Sequence, residues 1–128
     1  MNPKYVATGL LLSAMFATAS AASYFEFGVW MREIDRSSVE VQKSLSRHDA
    51  DAAREHARRL ALRYGQMVQF YQRDLPAADA LEIAQQGRDL AESIGTSIDQ
   101  QDFNGASDAA LRISRACNDC HDNHKPLR

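Results

Sequence analysis

Positive charge is in short supply in this chain. Its 15 lysines and arginines face 17 aspartates and glutamates, for a net charge of −2. A protein that neutralises phosphates needs a basic excess on one face, so the sequence carries no nucleic-acid footprint. The densest basic group, Arg54, Arg58, Arg59 and Arg63, is interleaved with Glu55 at helical spacing and reads as a solvated face. Strand signals are missing too: no stretch alternates cleanly between apolar and polar residues, which argues against a sheet. Nor does any grouping suit acid–base or nucleophilic catalysis. Scattered acids such as Glu33, Asp35, Glu82 and Asp89 have the pattern of a solvated helix surface, and the expectation is not an enzyme.

At 128 residues there is room for one domain. The single long apolar run, from Val6 to Ala22, follows Lys4 and includes Leu10-Leu11-Leu12 and Met15-Phe16. It then turns small, through Ala17-Thr18-Ala19-Ser20-Ala21. This is the order of a secretory signal, with cleavage expected after Ala21: residues 1–21 form the signal peptide and 22–128 the exported, periplasmic domain. An uncleaved membrane anchor is the alternative, but the run falls a little short of the roughly 20 apolar residues that span a bilayer. Cleavage removes one basic residue, leaving 14 against 17 acidic ones, a net charge of −3.

The remainder reads as four helices. Apolar or small residues recur at alternating steps of four and three. The first stripe is Phe27, Met31, Ile34, Ser38, Val41 and Leu45; the second is Ala53, Ala57, Leu60, Tyr64, Met67 and Tyr71. A third runs through Ala80, Ala84, Gly87, Ala91, Ile94 and Ile98, and a fourth through Ala106, Ala109, Ile113, Ala116 and Cys120. Narrow seams of this kind pack helices nearly parallel. Ser46-Arg47-His48-Asp49, Asp74-Leu75-Pro76 and Asp102-Phe103-Asn104-Gly105 supply the breaks, with Asp49 a candidate N-cap. Connections this short predict an all-α, antiparallel up-down-up-down four-helix bundle. Asp49 and Asp102, Ala53 and Ala106, Ala57 and Ala110, and Leu60 and Ile113 also stand at identical spacing. That echo records either two related hairpins or two helices obeying the same packing rules.

The two cysteines stand together in Cys117-Asn118-Asp119-Cys120-His121, a C-x-x-C-H pattern. Two thiols three positions apart on one helical turn can reach the two vinyl groups of a porphyrin and form thioethers. The next residue then projects an imidazole to iron, which is the attachment pattern of c-type haem. Three other readings stand beside it. A redox dithiol normally opens a helix in a βαβ context. A zinc site needs further ligands, which His121 and His124 would supply only from the same turn. A disulfide within one helical turn has poor geometry. A haem-free helical module for sensing or partner binding is the reading from a different class.

An apolar leader, four amphipathic helices and a C-terminal CNDCHDNHK together resemble the cytochrome c′ family and its low-spin, methionine-ligated relatives. In that family the haem motif closes the fourth helix, and an acidic and then a basic residue often follow; Asp122 and Lys125 stand at those positions here. The resemblance implies one covalent haem c on Cys117 and Cys120 with His121 as axial ligand. It also implies redox partner proteins and pairing into a homodimer through the first two helices. Topology suggests what lies opposite. If the end of helix one is level with the start of helix four, fifteen residues along each, about 22 Å, bring Met31 to the height of Cys120. The same reckoning brings Met67 to the level of His121, and Gly87 near it, where a missing side chain would make room for porphyrin. The low-spin relatives place a methionine ligand near the start of helix one, which implies Met31 as second axial ligand and Met67 as a pocket wall. Trp30, Phe27, Phe70 and Tyr71 are expected around the same end, and His48, His56 and His124 at the surface. The expected role is a one-electron carrier. If Met31 does not bind, the iron is five-coordinate and would take nitric oxide or carbon monoxide.

Overall fold

The computed structural model describes residues 24–124, all of them in helices and the turns between. The expected signal segment and Lys125 lie outside the described residues. The four helices are α1 Tyr24–Ser46, α2 Ala50–Arg73, α3 Ala78–Asp99 and α4 Phe103–Asn123. There are no strands among the described residues.

The turns follow from local chemistry. Asp49 caps α2 by accepting a hydrogen bond from the Ala52 amide at 3.1 Å. Asp102 caps α4 in the same way, accepting from the Gly105 amide at 2.9 Å. Gly105 is fitted to that cap, since a Cβ on it would stand 2.1 Å from the Asp102 carboxylate. The residue before each cap is left-handed, with φ 56° at His48 and 60° at Gln101. The sequence echo therefore extends to the backbone: one turn solution serves both the α1–α2 and the α3–α4 connection. The echoed Ala53, Ala57, Leu60, Ala106, Ala110 and Ile113 are all buried.

The four stripes close into one four-helix bundle. Leu60, Ile94, Ile113 and Val41 are its most enclosed large side chains, and a row of buried alanines, among them Ala53, Ala57, Ala84, Ala91 and Ala106, lets the helices approach closely. α1 packs on α2 and α4, and α3 packs on the same two helices. Contacts between α1 and α4 are the sparsest of these four pairings. One of the bundle's cavities opens along that seam. The basic group of α2 divides: Arg58 and Arg59 are exposed and pair with Glu55, whereas Arg54 and Arg63 are half-buried and reach other helices, Arg54 pairing with Asp51 and Asp99 and Arg63 with Glu33. Among the described residues no helix is long and apolar enough to cross a membrane.

Candidate functional site

The apolar spacing that makes α4 a helix also turns Cys120 inward, where it is 9% exposed, and leaves Cys117 partly buried one turn earlier. Both are free thiols. They open on a small inner cavity of about 30 Å³, enough for a single water. α1 contributes Met31 and Ile34 to its wall, α2 contributes Tyr64 and Met67, and α3 contributes Ala80, Ile83 and Ala84; His121 completes it from α4. A second, wider cavity of about 450 Å³ lies outward along the α1–α4 seam, within the usual range for small-molecule sites. Phe27, Gly28, Met31 and Tyr71 line it, opposite Cys120, His121 and His124. Met31, Cys120 and His121 therefore border both spaces, whereas Met67 and Cys117 border the inner one alone.

The thiols are not activated. Burial pushes both Cys117 and Cys120 above the ordinary thiol range, more than the nearby Tyr64 hydroxyl brings Cys117 down. A catalytic dithiol needs the opposite shift, a lowered thiolate pKa. Among the described residues, no three of the histidine, cysteine, aspartate and glutamate side chains converge as a metal-binding group. A closed zinc site would call for four such ligands.

Tyr64 is a neighbour of the thiols that the spacing of chemistry-bearing residues does not single out. Its hydroxyl lies 3.7 Å from Cys117 Sγ, within hydrogen-bonding reach of sulfur, and burial drives its pKa well upward. The available signal was its place on the α2 seam, because a buried tyrosine hydroxyl seeks a partner. Tyr71 is also pushed up, to about 12, first by burial and then by the neighbouring Cys120 and Asp79.

Gly87 has a different role from the one expected. It borders neither cavity, and the room left by its missing side chain is taken by Tyr64: a Cβ there would stand 2.5 Å from the tyrosine ring. Gly87→Ala should therefore displace that ring and destabilise the fold by about 1–3 kcal/mol. Thermal denaturation of the variant beside the parent protein measures it; an unchanged melting temperature would mean that the ring moves aside freely.

The aromatic residues divide. Phe27 and Tyr71 line the wide cavity, with centroids 5.8 Å apart and rings nearly perpendicular. Phe70 packs on Phe27 at 4.7 Å but faces, with Trp30, a separate groove between α1 and α2. Of the histidines expected at the surface, His48 is exposed and stacks on Phe103 at 5.3 Å, and His56 is partly buried. His124 has a partner on another helix. It is partly buried, borders the wide cavity, and binds Asp79 of α3 through Nε2 at 2.7 Å. That contact holds the Asp79 carboxyl below its usual range. His121 is exposed and makes no hydrogen bond among the described residues, so its ring stands available as a ligand.

A further groove, about 600 Å³ between α2 and α3, is lined by arginine, glutamine, glutamate and small or aliphatic residues. It contains no cysteine, histidine or methionine. No protein-family model matches the chain, and neither a curated protein nor a solved structure matches it.

Proposed function

We propose that this chain is an exported c-type cytochrome carrying one covalent haem, and that it moves one electron at a time between redox partner proteins. The observation that carries the reading is the shared lining of the α1–α4 cavities. Cys120 and His121 of the C-x-x-C-H motif border the same two spaces as Met31, with Cys117 at the inner end. The donor set suits haem c, and the wide cavity is walled by Phe27, Gly28, Met31 and Tyr71, a surface suited to an apolar disc.

In this reading Cys117 and Cys120 would hold the group by thioether bonds, and the His121 imidazole and the Met31 thioether would bind its iron. Bound haem supplies a one-electron iron couple, whose potential a methionine ligand raises. The chain supplies everything else. α4 fixes the two thiols and the imidazole within little more than one turn of helix. Met67, Ile34 and Ala84 close the inner wall against water. Tyr64, its ring seated against Gly87, sets its hydroxyl beside Cys117 and would hold that side of the site in place. The finer topology belongs to the same proposal. An antiparallel up-down-up-down order, with residues 1–21 removed on export to the periplasm, brings the first third of α1 beside the end of α4.

The test is the colour and mass of the exported protein. A pyridine haemochrome assay should return one haem per chain, and the intact mass should equal residues 22–128 plus one haem. The reduced protein should show a sharp low-spin α band. A broad high-spin spectrum would instead assign five-coordinate iron and a gas-binding role. A colourless protein with the mass of the bare chain would end the proposal.

A further inference from the structure

The wide cavity carries one cation that the proposed electron-transfer site leaves unused. His124, on its lining, is held by Asp79 at 2.7 Å, and His121 is assigned to iron. Arg32 is left. Its side chain leans toward the N-terminus of α1, as helical side chains do, and folds over Gly28: Nη1 lies 3.6 Å from where a Cβ on Gly28 would stand. Arg32 has no carboxylate partner among the described residues, and it is the one arginine or lysine on the lining of this cavity. A guanidinium fork at the rim of an otherwise largely apolar cavity is matched to a carboxylate.

The two cavities also give the site a direction. Cys117 borders the inner space only, Arg32 the outer space only, and Cys120, Met31 and His121 border both. The lining thus runs from thiols at one side to a guanidinium at the other. Haem has the same polarity, with vinyl groups on one half of the macrocycle and two carboxylates on the other. We propose that Arg32 is a positioning residue that binds a haem carboxylate at the mouth of the cavity. This rests on reading Cys117 and Cys120 as the attachment points. The guanidinium N–H groups donate and the carboxylate accepts, with no proton changing hands. Its positive charge offsets one carboxylate near the iron, so it favours the reduced state and raises the midpoint potential.

The test is redox titration of the holoprotein at constant pH and low salt. Arg32→Gln should lower the reduction equilibrium constant about threefold to tenfold, tenfold being about 59 mV for one electron. Arg32→Lys should retain most of the parental value, because it keeps the charge. Added salt should shrink the difference at this exposed site. Arg36→Gln, in a separate cleft between α1 and α2, should leave the potential unmoved. A parental potential in Arg32→Gln, with haem still attached, would overturn the role of Arg32 and leave the cytochrome reading intact. Absence of covalent haem from the parent protein would overturn both, and that result is read before any variant is made.

Discussion

Met31→Ala is expected to convert a sharp low-spin absorption spectrum into a broad high-spin one, and to make the reduced protein respond spectrally to carbon monoxide. The midpoint potential should fall by about 60 mV or more, at least tenfold in the reduction equilibrium, because a thioether ligand favours the reduced iron. The reason lies in where the side chain stands. Met31 is partly buried on α1 and borders both cavities with His121, as the proposed ligation requires. Met67 offers the natural contrast. It is 4% exposed and borders only the inner cavity. Met67→Ala should therefore lower stability by about 2–5 kcal/mol, as large-to-small core substitutions do, while the low-spin bands stay. Met31→Ala should show the reverse profile, a large spectral change with a smaller loss of stability. If Met31→Ala keeps the parental spectrum, the sixth ligand is a different residue. If Met67→Ala is the variant that turns high-spin, the two methionines exchange roles.

Helix number, helix positions and the seams were legible because each depends on a local pattern. The period of the apolar residues marks the buried stripe, and Asp49 and Asp102 signal their helices by the bonding capacity of one side chain. Heights along the bundle were legible as well, because the rise per residue is constant. Met31, Met67, Cys120 and His121 accordingly meet around one inner cavity. What the pattern could not supply is azimuth. Gly87 lies at a height near the site, but rotation about α3 turns it toward Tyr64 and away from both cavities. Trp30 has the same difficulty. It follows Phe27 by three positions, yet it looks into the α1–α2 groove beside Phe70 while Phe27 borders the wide cavity. His124 was illegible for a further reason: its partner, Asp79, is 45 residues earlier, at the start of α3, and only the packed bundle brings the two together. Periodicity locates a residue on its own helix, and pairwise packing decides what it faces.

Replacing both Cys117 and Cys120 by alanine is expected to abolish covalent haem outright. The purified variant should give a mass equal to its bare mature chain, and any haem that co-purifies should leave with acidified acetone, since coordination and packing alone would hold it. Single substitutions should each leave one thioether and an intermediate, reduced haem content. The pair distinguishes attachment from its rivals because each rival predicts a different parent. A redox dithiol would leave the parent colourless, with one disulfide that forms and breaks at a defined potential. Its thiols would also need a lowered pKa, whereas burial raises both of these. A zinc site would leave a colourless parent whose metal is lost to chelators and whose thiols alkylate only afterward. Neither rival accounts for a parent whose visible colour survives denaturation and acid extraction. That survival, and its loss in the Cys117→Ala/Cys120→Ala variant, depends on sulfur–carbon bonds at these two positions. A double variant that kept acid-stable colour would place the attachment elsewhere and remove the basis for assigning His121 to iron.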